Sequence, residues 1–460
     1  MSLPRLSAVG SKWGGDVVQR RSMVAVVKAP RAVVAALVVV ALSAVLTACG
    51  NAGTQAVSHG GGADGVTATT IRVGSLASSS GIAATDFAPV VTGARIYFDQ
   101  LNASGGIDGR KIVYSPNIDD GTSPSGDTAG AEQLVADKVF AVVGVGTPFF
   151  TGSSILRAHA VPTFGVQENT NSQWAGPAMF GVGGSHVDFT APIPQAAYVA
   201  ERNGDTRAAV LAYNVSQSSE GCVGITDALR ADHIATPVVD MSIPYGAASL
   251  DADVTRMQQA GVDFVASCMD VTGNIKLSET LQQHGMGNVT QFWLDGYDQQ
   301  VLSQNASAME GVYLMLQQTP FEVSTLYPGR YPGIDDFNKA LAKYAPGTPP
   351  NATALAGWVS ADLFATGLKM IGRDVTRSRL VAAINSLTDF TAHGAIAPVD
   401  WKVAHTGTTP LDCTTFVQVR HGAFVPVYGT KPSVYACFSQ KPSSSGKVVP
   451  LPLPPGVPGS

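Results

Sequence analysis

Residues 101–112 read LNASGGIDGRKI. An apolar run at helical spacing ends near Asn102, and Gly105 or Gly106 supplies the left-handed residue that closes a helix. Ile107 packs back, Gly109 turns the chain, and Arg110 and Lys111 lead into an apolar strand. The stretch is therefore the helix-to-strand joint of an α/β unit. A phosphate-binding loop is the competing reading of GGIDGRK. It fails because no Ser or Thr follows Lys111 and the segment leads into a strand, where such a loop opens a helix.

Working outward, IRVGSLA from Ile71 reads as a strand ending in a Ser-rich loop, and FAPVVTGARIYFDQLNAS places Val91, Ala94, Ile96 and Phe98 at helical spacing. KIVYSPNID, VFAVVGVG and VPTFGV are further strands, separated by the helical TAGAEQLVAD and SSILRAHA. A second series begins with a helix from about residue 188 to 203. It continues as strands AAVLAY, PVVDMSI, FVASCM and TQFWLD between the helices GITDALRA, DADVTRMQQA and NIKLSETLQQH. Short apolar strands alternating with amphipathic helices imply parallel sheets covered on both faces, so the fold class is α/β with two doubly wound lobes. After Gly311 come YLMLQQTPF, the helical DDFNKALAKYA, ALAGWVSADLFATGLKMIG and TRSRLVAAINSL, and closing strands VDWKV and TTFVQVRHGAFVPVY.

The chain has 460 residues, 45% of them hydrophobic, enough for more than one core. Arg20, Arg21, Lys28 and Arg31 precede the apolar run AVVAALVVVALSAVLTA, which stops at Cys49. The run is slightly short for a membrane span and lacks a basic stop, so residues 1–48 read as a secretion signal, with Met23 an alternative start. Leu46-Thr47-Ala48-Cys49 resembles the bacterial lipobox, which implies lipidation of Cys49 and anchoring to a membrane's outer face. Residues 49–66 then form a Gly-rich tether, and residues 441–460 a Pro-rich tail that is disordered or extended. Without residues 1–48 the balance is 23 basic against 33 acidic residues, a net charge of −10 that disfavours nucleic acid as a partner. The remaining cysteines, Cys222, Cys268, Cys413 and Cys437, are even in number and lack CxxC spacing, which favours two structural disulfides.

NASGGIDGRKI, followed by a strand and Asp119-Asp120-Gly121, resembles the corresponding segment of type I periplasmic solute-binding proteins, in particular the branched-chain amino-acid-binding (Leu/Ile/Val-binding) family. The similarity continues through AEQLVADKVFAVVG, DADVTRMQQAGVDFVASC and RHGAFVPVY, over most of residues 70–430. It implies two lobes joined by three crossovers near residues 183–187, 315–319 and 391–396, with a ligand cleft between them. Lobe 1 would comprise residues 67–185 and 318–392, and lobe 2 residues 186–317 and 393–440. Of the three possible disulfide pairings, Cys222–Cys268 and Cys413–Cys437 are expected, because each pair falls in one neighbourhood of that fold.

Strand-end loops bind ligands in open α/β sheets, which nominates Ser79, Ser80, Phe87, Thr147, Phe149, Gln167, Asn169, Ser218, Asp270, Asp295 and Tyr297. Hydroxyls suit a carboxylate, and Asp270 or Asp295 suits an ammonium. Each Ser or Asp has a competing role as a helix cap. The loop VGTPFFTGSS departs from the family's run of consecutive hydroxyl residues, and Ser218-Ser219 replaces its Tyr-Gly pair. Phe149, facing the cleft, would suit an aromatic or hydrophobic solute. GxSxG, HExxH and CxxC are absent and the histidines are scattered, so neither an enzyme, a cofactor nor a metal site is expected. The resemblance implies a monomeric, lipid-anchored protein that presents a small-molecule ligand to an ABC transporter permease. The alternatives are a ligand-sensing receptor subunit and a hydrolase.

Overall fold

The computed structural model describes residues 63–167, 171–186, 191–406, 411–439 and 448–459. The expected signal segment, Cys49 and all but the end of the tether lie outside them.

The first sheet is wholly parallel in the order β2-β1-β3-β4-β5. Its strands are β1 (Thr70–Ala77), β2 (Lys111–Asp119), β3 (Ala141–Gly146), β4 (Thr163–Gly165) and β5 (Met179–Gly181). Between them run helices α1 (Ala84–Phe87), α2 (Pro89–Ala103), α3 (Pro124–Ala136), α4 (Ser153–Ala158) and α5 (Asn171–Trp174). Strand β3 is buried at every residue, as a central parallel strand covered on both faces must be. The stretch 101–112 forms the α2-to-β2 joint. Gly106 N–H donates to Leu101 O at 2.9 Å with φ at +80°, and a side chain on Gly106 would lie 2.0 Å from Arg110 O. The two basic residues do more than solvate the turn. Arg110 donates to Thr67 O at 3.0 Å, and Lys111 Nζ donates to Asn102 O, a carbonyl near the helix end that also accepts Gly105 N–H.

The second sheet has the order β12-β11-β10-β9-β8-β6-β7, with β13 also on β11. Its first half alternates α6 (Pro194–Asn203), β6 (Arg207–Tyr213), α7 (Ser216–Ala231), β7 (Ala235–Ile243), α8 (Asp251–Ala260), β8 (Phe264–Ser267), α9 (Val271–Gln283), β9 (Thr290–Trp293), α10 (Gln299–Met309) and β10 (Tyr313–Leu316). The chain then returns to the first lobe as α11 (Val323–Leu326), α12 (Pro332–Tyr344), α13 (Ala352–Ile371) and α14 (Arg377–Ile384). It finishes the second sheet with the antiparallel β11 (Leu411–Arg420), β12 (Ala423–Val427) and β13 (Tyr435–Ser439). Disulfides join Cys222 to Cys268 and Cys413 to Cys437.

Helix α13 is apolar nearly all round and belongs to the core. It meets α2 backbone to backbone. A Cβ on Gly93 would lie 1.7 Å from Ala354 O, and one on Gly357 would lie 2.0 Å from Val90 O.

Two sequence expectations are corrected. VDWKV is not a strand: only Val399 forms an isolated bridge, to Phe390, and the chain turns from Trp401. Trp401 is buried edge-on to Phe180, 5.2 Å away, and Ala404 O accepts the N–H groups of Ser185 and His186. Trp401 and Ala404 thus pack against the end of β5 and the residues that follow it, where a Trp finds apolar surroundings. The Pro-rich tail is also packed where it is described. Val457 is 2% exposed, and Leu451 N–H donates to Cys437 O at 2.8 Å. Composition argued against a core within the tail itself, but the tail docks on a core formed elsewhere.

Because the contact at Gly357 leaves no room for a side chain, Gly357→Val is expected to lower stability by about 1–3 kcal/mol or more, measured by denaturant unfolding, whereas Gly285→Ala on an open turn should cost less.

Candidate functional site

The C-terminal ends of the central strands in both sheets carry the nominated loops. After β1, Ser78 is buried and its hydroxyl donates to Asp120 Oδ1 at 2.7 Å, tying the β1 and β2 ends together. Ser79 and Ser80 are exposed, and their N–H groups donate to Asp119 Oδ1 at 3.0 and 3.1 Å. Slight burial pushes the Asp119 carboxyl up, but hydrogen bonds from the Ser80 side chain and from the Gly121, Ser80 and Ser79 N–H groups win and hold it below its ordinary value. Ile82, in the same loop, is 68% exposed, an apolar side chain beside the Ser pair. Phe87 is buried against Gly146.

After β3, Thr147 is buried and accepts from Phe149 N–H at 3.3 Å. The adjacent phenylalanines part ways. Phe150 is fully buried, 4.9 Å from the Trp174 ring, while Phe149 stays half-buried. After β4, Gln167 is 8% exposed. Its Nε2 donates to Asn171 Oδ1 at 3.5 Å, and its Oε1 has no hydrogen-bond partner among the described residues. Asn169 lies outside the described residues.

In the second lobe Asp270 caps α9, its Oδ1 accepting Gly273 N–H at 2.7 Å and the Tyr213 hydroxyl at 2.9 Å. Tyr213, the last residue of β6, packs edge-on to Tyr245 with ring centres 4.9 Å apart. Burial, then the charges of Asp270 and Asp86, raise both phenols well above their usual range; Asp295 adds to the effect on Tyr213. Asp86 belongs to α1 of the first lobe, so a charge from that lobe is felt at the second-lobe tyrosine pair. Asp295 is pushed up to about 6, by burial first and by Asp270 second, against the pull of the Gly296 and Val271 N–H groups.

Two nominated residues serve other ends. Ser218 Oγ donates to Cys268 O at 2.6 Å and accepts Tyr213 N–H at 2.9 Å, bracing the β6 and β8 ends. Tyr297 is buried, stacked on Phe321 at 5.1 Å, and its hydroxyl donates to Glu322 Oε2 at 2.5 Å while accepting Phe321 N–H. Of the nominated residues, then, Asp270 and Asp295 are drawn into the electrostatic group, and Ser79, Ser80 and Phe149 offer accessible surface on the first-lobe loops. Sequence reasoning missed Tyr213, Tyr245 and Asp86. Tyr213 carried a usable signal as the last residue of AAVLAY, whereas Tyr245 and Asp86 sit in a loop and a four-residue helix with no periodic pattern. Among the described residues no cluster of His, Cys, Asp and Glu has the makings of a metal site, and no helix is long and apolar enough to cross a membrane.

Two doubly wound lobes with facing strand-end loops define a bilobal binding protein. Residues 70–423 match the profile of the periplasmic binding protein family, and the chain belongs to that family. Its fold is similar to that of a fatty acid ABC transporter substrate-binding protein from Thermomonospora curvata (17% identity, TM-score 0.65, 83% of this chain and 95% of that one). Similar too is an ABC transporter solute-binding protein from R. palustris in complex with benzoate (20%, 0.63, 78% and 95%). A third is the branched-chain amino acid transporter substrate-binding protein LivJ from Streptococcus pneumoniae in complex with isoleucine (18%, 0.62, 83% and 100%). No curated protein matches the chain in sequence. The family and these neighbours are binding proteins of transporters, not enzymes.

The Asp295 carboxyl sets a pH dependence. Unfolded it releases its proton near 3.8 and folded near 6, so the folded state holds the extra proton between those values. Its contribution makes stability fall as pH rises from about 4 to about 6 and stay lower above that. Asp295→Asn should shrink this fall, as read from unfolding midpoints at pH 4.5 and 7; an unchanged slope would refute the assignment.

Proposed function

We propose that the protein is an extracytoplasmic solute-binding lipoprotein, anchored through Cys49, that closes its lobes on a small molecule and passes it to an ABC transporter permease. The observation that carries the reading is the second-lobe group in which Asp270 accepts the Gly273 N–H and the Tyr213 hydroxyl and Tyr213 packs edge-on to Tyr245 4.9 Å away, with the charge of Asp86 reaching both tyrosines from the first lobe. Such a group belongs where a ligand bridges two bodies, and cleft closure is hinge motion. The solute is an amino acid or a related amphipathic or aromatic molecule. Asp270 and Asp295 suit an ammonium group; the tyrosine pair, Phe149 and Ile82 suit an apolar or flat body. The exposed hydroxyls of the β1 loop suit a second polar end. Membership of a family of transporter binding proteins supports delivery to a permease, and a monomer is enough for that task.

A thermal-shift panel on the chain from Val66 onward, with both disulfides formed, tests the reading against aliphatic and aromatic amino acids, amides, aromatic acids and small steroids. A true ligand at 100 times its Kd stabilises the folded state by about 2.7 kcal/mol. Asp270→Asn should weaken binding of an amine-bearing hit about tenfold or more while leaving a neutral hit little changed. Failure to bind any small molecule, together with turnover of one, would sink the proposal. For the anchor, Cys49→Ala should move the protein from the membrane fraction to the soluble fraction of the envelope, and retention in the membrane would exclude Cys49 as the attachment point.

A further inference from the structure

We infer that the Pro-rich segment 448–459 is a strap that crosses the hinge and limits how far the two lobes can move apart. The inference rests on where the segment is fastened. It starts on the second lobe: Val448 packs against the core that contains Phe416 and Phe438, and Leu451 N–H donates to Cys437 O of β13 at 2.8 Å. It ends at the junction. Pro458 O accepts from the buried Ser433 hydroxyl at 2.6 Å, in the turn between β12 and β13 of the second lobe. The next carbonyl, Gly459 O, accepts from Arg330 Nη2 at 2.6 Å, two residues before α12 of the first lobe. Consecutive residues therefore hold opposite lobes.

The ground between these attachments adjoins the second passage between the lobes. A Cβ on Gly394 would lie 3.6 Å from Pro458 and one on Gly456 would lie 3.6 Å from Pro398, while Val457 is 2% exposed in the same core cluster as Tyr331, Ile396 and Val434. Residues 395 and 396 are the ones that bond the second passage, through Thr319 N–H to Ala395 O and the Gln318–Ile396 bridge. Tyr331 completes the junction by accepting Val434 N–H from the second lobe at 3.2 Å. The composition suits a strap. Pro450, Pro452, Pro454, Pro455 and Pro458 fix φ and lack N–H groups, so the segment is stiff without being a strand and bonds mainly through its carbonyls. A slack chain fastened at the same points would transmit little; a stiff one makes relative rotation of the lobes break contacts at one end.

The test uses the full chain without any solute, so it does not depend on the binding reading. Two variants loosen the strap by changing only its own residues. Val457→Asp places a charge in the core, and Gly459→Val puts a side chain where a Cβ would lie 2.2 Å from the Tyr331 hydroxyl, at a φ of +77°. Spin labels on Glu132 of α3 and Gln259 of α8 report the inter-lobe distance, and hydrogen exchange reports residues 394–398 and 430–434. Release should broaden the distance distribution and speed exchange in both segments by about tenfold or more. Deleting residues 448–460 is the limiting case and should reproduce both effects. Exchange that shows the segment itself released, with an unchanged inter-lobe distribution, would overturn the inference. So would a deletion that leaves distance and exchange as in the parent chain.

Discussion

The approach of α2 and α13 is the constraint on which the rest of the architecture depends. At Gly93 and Gly357 the two helices meet with no side chain between their backbones. One of these helices comes early in the chain and the other follows the whole second parallel series. Their contact obliges the chain to leave the first lobe, build most of the second and come back. The three passages between the lobes follow from this, as does the antiparallel ending of the second sheet, since β11 must re-enter beside β10 from the opposite direction. A bilobal protein in which each lobe is made from separate stretches of chain has its hinge and its cleft fixed by one packing event.

On the cleft side, the polar groups divide into those that build the walls and those that face across. Ser78, Ser218 and Thr147 are spent within the protein, joining neighbouring strand ends. Asp270 is fixed twice within the wall, since one carboxylate oxygen caps α9 and accepts the Tyr213 hydroxyl. A carboxylate so fixed keeps its position whether or not a solute is present. The acidic group around the tyrosines gives the second-lobe wall a negative field, and the apolar Ile82 and half-buried Phe149 give the first-lobe loops a different character.

The legible parts of this molecule are those whose cause is local. LNASGGIDGRKI declares its joint because a left-handed glycine and a helix end are neighbours in sequence. The strand and helix beat is equally plain, because burial on a parallel sheet imposes apolar runs. The packing of Trp401 and of segment 448–459 is not legible in sequence for the complementary reason: their partners, Phe180 in one case and Arg330, Tyr331 and Ser433 in the other, lie far away along the chain. The candidate site falls between these cases. Strand ends nominate loops, but which side chain of each loop turns outward is decided by hydrogen bonds between loops. Ser218 and Tyr297 looked available in sequence and are committed to Cys268 and Glu322.

The Cys222–Cys268 bridge joins the body of α7 to the residue just beyond β8, two positions before Asp270. Ser218, one turn earlier in α7, grips the carbonyl of the same Cys268. The β6–α7 loop and the β8–α9 loop are thereby one mechanical unit, cross-linked when the chain folds. Ordering that a looser wall would undergo on capture has already taken place, so the entropy lost on binding falls on the solute and the hinge alone. In a reducing environment the bridge would open and that advantage would lapse, so an oxidising setting is part of what keeps the cleft receptive.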